Sequence, residues 1–323
     1  MSNRIYRRVW LRQSKSVEGD DMKGVVEQSI RSKRVSLYAF GCLLLVGSFL
    51  ALSLVIAKLA DEAGAPRLTF LMTALIGAAL ILAGSTAIRG QPMPLNRRTL
   101  EYAVVSGILF AVPNAVSFLA VRHVGAGFVA LSLAFPILVT WLLAVTLRME
   151  QLRVLRLIGV LLGLGGGVIL ALSKGTDAEG ALGWAALVML MPLVLAVGNI
   201  YRTWRWPQNA APVFLAALMM LGGAAALSPF VLTYEAGRFG ELFGSSQVGL
   251  LLLGETAVFA VVYFFFFVLQ RLAGPVYLSQ IGVVAALAGS LIAILLLGES
   301  MPPNLGMAVA LIILGTVIFH RAA

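Results

Sequence analysis

The sequence predicts an all-α integral membrane protein of ten transmembrane helices, built as two inverted five-helix repeats. Three observations predict it. Of 323 residues, 60% are hydrophobic and 12% charged, with a mean hydropathy of +0.96, whereas a soluble domain carries about 25% charged residues. The apolar stretches run for about 20 residues, the length an α-helix needs to cross a ~30 Å hydrocarbon core, without the period-two alternation of an outer-membrane barrel. Finally, the second half of the chain repeats the first at a nearly constant offset.

Ten spans follow in order, at roughly 36–59, 67–88, 99–121, 124–147, 153–173, 182–204, 210–233, 247–270, 275–298 and 303–320. The connections are short and rich in turn formers, as in "DEAGAP", "RGQPMPLN", "KGTDAEG", "WPQNAAP" and "GESMPPN". They leave no room for a globular soluble domain. Pro66, Pro212, Pro302 and Pro303 stand where helices begin, a position that tolerates a missing N–H. The chain divides into a basic tail (1–35), a first repeat (36–173) and a second repeat (182–320). The tail is polar, with neither an apolar h-region nor a small-residue cleavage site, and reads as disordered rather than as a signal peptide. A start at Met22 would still leave "MKGVVEQSIRSKR" as a charged lead-in.

Lysine and arginine set the orientation. With the N-terminus inside, the inner segments hold nineteen basic residues and the outer segments five; without the tail the ratio is ten to five. Both termini are therefore predicted to be cytoplasmic, in the inner (plasma) membrane. A net charge of +10 would suggest nucleic acid in a soluble chain. Here it reflects this bias and attraction to anionic lipid heads, so no nucleic-acid partner is expected. The single cysteine, Cys42, forms no intrachain disulfide, and no Cys/His spacing suits a metal. No catalytic residue, cofactor or metal site is predicted. His123 and His320 fall at helix ends and read as interfacial.

The repeat rests on three blocks. "EAGAPRLTFLMTALIGAAL" (62–80) overlies "QNAAPVFLAALMMLGGAAA" (208–226) at offset 146, and "SFLAVRHVGAGFVALS" (117–132) overlies "FFFVLQRLAGPVYLSQ" (265–280) at offset 148. "LRMEQLRVLRLIGVLLGLGGGVIL" (147–170) overlies "LLGESMPPNLGMAVALIILGTVIF" (296–319), pairing Glu150 with Glu299 and Gly159 with Gly306. Five spans is an odd number, so the second half enters the membrane from the opposite side. Inverted repeats give one fold two nearly equivalent conformations, the architecture of alternating access around a midplane site.

These stretches resemble the drug/metabolite transporter superfamily, in its ten-helix EamA-type branch. The resemblance covers about residues 36–320, through "GSFLALSLVIAKLADEAGAP", "FLAVRHVGAGFVALSLAFPIL" and "LLLGESMPPNLGMAVALIILG". The family's Leu-Gly-Glu is intact at Leu297-Gly298-Glu299 and reads "LRME" at 147–150, while its arginine early in span two is matched loosely by Arg67. The resemblance implies a secondary transporter of small metabolites, often an exporter, with a central cavity lined by spans one, three, four, six, eight and nine.

Glu150 and Glu299 complement the positive end of the following helix. Gly159, Gly163 and Gly167 in span five, and Gly306 and Ala310 in span ten, form small-residue faces for packing within the monomer or in a homodimer. The candidate substrate-binding residues are Asn114 and Ser117 behind Pro113, then Trp141, Asn199, Tyr201, Glu255, Tyr263 and Gln280. Buried polar groups in a bilayer need a partner helix or a wet cavity, and for the Asn, Ser, Tyr and Gln residues both readings stay open. Trp141 fits an interfacial anchor or a cavity wall. "YFFFF" (263–267) reads as mostly lipid-facing, since consecutive rings cover every side of a helix.

Glu255 is the acid that asks for an explanation. It lies about 12 Å into span eight at ~1.5 Å per residue, where an ionised carboxylate costs at least ~2.5–3.5 kcal/mol. Protonation, a pair with Lys58, or a wet cavity would each accommodate it. The functional reading is a carrier of coupling protons or a contact for a substrate amine. Lys58, Arg122 and Arg202 all stand near helix ends, so the interior offers almost no cation, and phosphate-bearing substrates are disfavoured. The expected substrate is a small neutral or zwitterionic metabolite such as an amino acid. The alternatives are proton-coupled efflux of amphipathic organic cations and, from another class, a non-transporting scaffold or lipid-translocating subunit.

Overall fold

The computed structural model describes residues 22–147, 151–174, 181–298 and 304–321, and among them it is helical with no strand. Glu150, Glu299, Pro302 and Pro303 lie outside the described residues, as does the tail before Met22. By contacts the chain forms two units, Met1–Gly41 and Cys42–Ala323. The first contributes the opening of helix α1 (Met22–Glu62). The second holds the remainder of α1 and all that follows.

That remainder is α2 (Arg67–Ile88), α3 (Arg97–Val124), α4 (Ala126–Ser132), α5 (Pro136–Thr146), α6 (Val154–Lys174), α7 (Ala181–Trp204), α8 (Pro212–Tyr234), the short α9 (Glu241–Gly244), α10 (Ser246–Leu278), α11 (Ile281–Leu295) and α12 (Leu305–Arg321). Among the described residues, seven helices are long and apolar enough to cross a membrane, α4 and α5 together making one of them. Shorter apolar stretches at Val154–Gly163, Ile281–Leu295 and Gly306–Gly315 fall on the predicted spans five, nine and ten.

Two predicted spans are interrupted. Span four parts into α4 and α5 around Leu133–Phe135, because Pro136 cannot donate to the preceding turn and opens α5 instead. Span nine (275–298) is the second: the helix of span eight runs on through a break at Gly274 (φ 76°, ψ 179°), just ahead of its predicted start, and the chain parts again after Leu278 before α11. A residue ahead of proline is pushed out of the α region, and glycine is the residue that takes the positive φ found here without steric cost. Gly125, between α3 and α4, adopts nearly the same conformation (φ 82°, ψ 156°).

Close helix crossings are made by small residues. A Cβ on Gly282 of α11 would lie 1.6 Å from the Leu133 carbonyl oxygen, and one on Gly222 of α8 would lie 2.0 Å from that of Ala103 in α3. Lipid supplies no hydrophobic drive between helices, so such close approach is what holds them. Helices α6 and α12 pack on each other within the chain: a Cβ on Gly315 would meet the Gly159 carbonyl oxygen at 2.5 Å, and one on Gly166 the Ala308 oxygen at 2.7 Å. The face of α12 that packs is therefore Ala308, Ile312 and Gly315, whereas Gly306 and Ala310 are exposed. Within the chain the contact is carried by Gly315, which lies off the Gly306–Ala310 row.

Helix ends are also tied across the fold. The Glu235 carboxylate, at the end of α8, accepts from the backbone N–H of Leu68 (3.2 Å) and Thr69 (2.7 Å) at the start of α2. It thereby caps two N–H groups that lack an intrahelical partner, at the positive end of the dipole. Arg67 beside it pairs with Asp61. Asn96 closes a capping box on α3, its Oδ1 accepting from Arg98 and Thr99 while its own N–H donates to Thr99 Oγ1 at 2.9 Å.

Candidate functional site

A cavity of about 100 Å³ lies among these helices. A single water needs roughly 10–15 Å³ on this measure, so the space holds several waters or a small organic molecule. Its walls come from α1, α3, the α4–α5 break, α7, α10 and the α10–α11 break, with Met219 added from α8. Both helix breaks bring a serine to the wall. Ser132 donates to the Val129 carbonyl and Ser279 to the Val276 carbonyl, each at 2.7 Å. Each hydroxyl proton is thus committed to its own backbone, leaving the oxygen lone pairs as acceptors.

Four of the eight sequence candidates line this cavity: Asn114, Ser117, Asn199 and Tyr263. Pro113 stands inside α3 and has no N–H to give to the turn before it. Asn114 Nδ2 donates to the Phe110 carbonyl and Ser117 Oγ to the Pro113 carbonyl, both at 2.8 Å. The Tyr263 ring meets Phe110 edge-on, with centroids 4.8 Å apart. Phe266 also lines the cavity and Phe267 is fully buried, so part of the aromatic run predicted to face lipid turns inward.

Glu255 is fully buried behind this wall. Its Oε1 accepts a 2.5 Å hydrogen bond from Ser53 Oγ of α1, and Ser53 itself lines the cavity. Its Oε2 has no hydrogen-bond partner. Lys58 lies instead 4.0 Å from Glu62, one helical turn on.

The other three candidates sit elsewhere. Trp141 is fully buried in the apolar core with Ile137, Leu138, Val160 and Val188. Tyr201 is half-buried and stacks on Tyr102, centroids 6.1 Å apart. Gln280 is half-buried in the α10–α11 break, and its neighbours Ser279 and Ile281 rather than Gln280 itself reach the cavity.

Arg202 is the residue that sequence reasoning misplaced. It stands near the end of α7, yet only 3% of it is exposed, and it lines the cavity. Its Nη2 donates to Asn199 Oδ1 at 2.6 Å, and its Nη1 lies 3.8 Å from the Met219 sulfur. The guanidinium carbon sits 5.4 Å from the Phe266 ring centroid. Nε has no hydrogen-bond partner. The guanidinium turns back along its own helix because Gly198, one turn earlier, leaves room for it: a Cβ there would lie 3.1 Å from Nη1. A glycine at i−4 and an acceptor at i−3 were the available sequence signal. The interior therefore does hold a cation.

A second hollow, of about 950 Å³, opens beside the segments 91–92, 206–212 and 270–274. Thr203 and Gln270 line it. Gln270 is 2% exposed and donates from Nε2 both to the Asn199 carbonyl (3.2 Å) and to Thr203 Oγ1 (3.0 Å). Among the described residues, no group of three or more His, Cys, Asp or Glu side chains is placed to hold a metal ion.

No protein-family model and no curated protein sequence matches the chain. Solved structures do match in fold. One, described as the crystal structure of a protein, superposes with a TM-score of 0.63 at 17% identity, covering 90% of this chain and 98% of its own. At that identity the likeness is one of fold over nearly the whole of both chains.

Proposed function

We propose that the protein is a secondary transporter, in the exporting direction, of a small neutral or zwitterionic metabolite such as an amino acid. It works by alternating access between two inverted five-helix repeats that together make ten spans. The observation that carries this reading is the cavity placed between the helix breaks, its largely apolar wall set with Asn114, Asn199, Arg202 and Tyr263. Backbone interrupted at membrane depth is tolerated only where it is buried in protein or lines a wet cavity, and discontinuous helices are where transporter sites form. The near-identical turns at Gly125 and Gly274, and the like-placed Ser132 and Ser279, support the repeat relationship. The resemblance to the drug/metabolite transporter superfamily points the same way. In this reading the protein sits in the plasma membrane with both termini in the cytoplasm, and Glu255, linked to the cavity by Ser53, carries the coupling proton.

The test is uptake into proteoliposomes holding the purified protein, with a panel of amino acids, amines and sugars, with and without a pH gradient. Saturable uptake of an amino acid, above protein-free vesicles, is the expected result. A scaffold or lipid-translocating subunit would give none, and cysteines placed at 114 and 199 would stay closed to water-soluble thiol reagents.

A further inference from the structure

Arg202 is a cation buried in a membrane cavity with too few partners. A guanidinium carries five N–H donors. The hydrogen bonds it makes are one to an amide oxygen and one to a thioether, which is a weak acceptor, and Nε–H is left over. Among the described residues no carboxylate forms an ion pair with it; the buried acid in this region, Glu255, is engaged by Ser53. One turn further along α7, Arg205 shows the ordinary solution, an exposed side chain paired with Glu101 at 2.7 Å. Arg202 could have run toward the same helix end. Long basic side chains near helix ends normally do. Gly198 and Asn199 hold it back at the cavity instead.

We infer that Arg202 is the anchor for a single carboxylate on the transported molecule, so that the substrate is a monocarboxylate and not an organic cation or a phosphate. The inference rests on the transport reading and narrows its substrate class. Arg–carboxylate pairs are frequently bidentate and charge-assisted, and a bound carboxylate neutralises the one free charge in the cavity. A phosphate dianion would leave a negative charge uncompensated in the membrane. An organic cation would meet a like charge, and the Phe266 face it needs already lies against the guanidinium. The rest of the wall completes the match. Ser117, Ser132 and Ser279 have spent their protons on backbone carbonyls, so they offer lone pairs, the complement of an ammonium or hydroxyl on the same molecule. A zwitterionic amino acid satisfies both ends.

The experiment is binding to the purified, full-length protein, by calorimetry and thermal shift. The probes are alanine, leucine and phenylalanine, each beside its amide, together with inorganic phosphate. At least one acid binds, its amide binds at least ten-fold more weakly, and phosphate does not bind. This comparison uses the wild-type chain and is independent of how any variant folds. Arg202→Gln then weakens the acid at least ten-fold and does not weaken the amide, while Arg202→Lys restores part of the loss. Equal binding of acid and amide, preference for phosphate, no binding of any acid, or undiminished acid binding by folded Arg202→Gln overturns the inference. The two readings fail differently. Uptake of an amine with no acid bound removes the carboxylate anchor and keeps transport. Arg202-dependent acid binding without uptake keeps the anchor and removes transport.

Discussion

Gln270 on α10 donates its side-chain amide to the backbone carbonyl of Asn199 on α7, at 3.2 Å. Asn199 belongs to the wall of the inner cavity, and Gln270 to the wall of the larger hollow. If this contact, with the parallel one to Thr203, is the partition between the two spaces, its loss opens the inner cavity to the hollow. It joins two elements of the second predicted repeat, so a movement that parts α7 from α10 must break it. Two hydrogen bonds of this kind contribute about 0.5–1.5 kcal/mol each, enough to bias a two-state equilibrium without locking it.

Gln270→Leu keeps the bulk and removes the donor. In a Cys42→Ser background, a cysteine at Asn114 reacts several-fold faster with a water-soluble thiol reagent in detergent once Gln270 is replaced. Unchanged labelling rates would mean that the partition lies elsewhere.

The glycine crossings give a sharper contrast. A Cβ on Gly282 meets a backbone oxygen at 1.6 Å, whereas one on Gly84 meets nothing within 4 Å. Overpacking typically costs 1–3 kcal/mol and more where backbone must move, while glycine in an open helix position is worse than alanine by roughly 0.5–1 kcal/mol. Gly282→Ala therefore lowers the unfolding temperature in detergent by several degrees or abolishes folded protein, and Gly84→Ala leaves it the same or slightly higher. Equal effects of the two would refute the α4–α11 crossing described above.

Much of this molecule is legible in its sequence, and the reasons for the remainder are local. Apolar length places most of the long helices to within a few residues, because lipid leaves a backbone no option but internal hydrogen bonding. Proline and glycine mark the breaks at Pro136 and Gly274; the second falls between predicted spans eight and nine, while the hydrophobic pattern passes straight through the first, so span four read as one helix. Polar residues deep in a span, such as Asn114 and Asn199, are visible because their burial demands a partner. Arg202 was not, since position along a helix does not tell which way a long side chain turns. Trp141 looked like a cavity or interface residue by type, and its burial among Ile137, Leu138 and Val188 depends on tertiary packing. Ser53, Ser132 and Ser279 are too common in membrane helices to stand out until the cavity is seen.

Gly198 tests the account of Arg202 without touching its charge. With the Cβ of Gly198→Ala at 3.1 Å from Nη1, the guanidinium must shift by a few tenths of an ångström, because its neighbour on that side is a flexible tip rather than backbone. Fold stability changes by less than about 1 kcal/mol, in keeping with alanine's better helix propensity. Acid binding falls several-fold while amide binding holds. Loss of both together would make Gly198 a packing residue only.

Glu255 separates chemistry from architecture. Its partner is a hydroxyl, and an ionised carboxylate with one neutral donor and a bare second oxygen sits badly in hydrocarbon, at a cost of at least ~2.5–3.5 kcal/mol. In the proposed function Glu255 is the group that carries the coupling proton. Glu255→Gln keeps the shape and still accepts from Ser53, so the fold is retained, but it cannot gain or lose the proton. Substrate exchange across the vesicle membrane continues in this variant. Accumulation driven by an imposed pH gradient falls at least ten-fold. Ser53→Ala, which leaves the acid in place and removes its link to the cavity, slows accumulation without abolishing it. If Glu255→Gln concentrates substrate against its gradient as well as the wild-type protein does, the proton travels by another route and Glu255 serves the packing of α10 on α1.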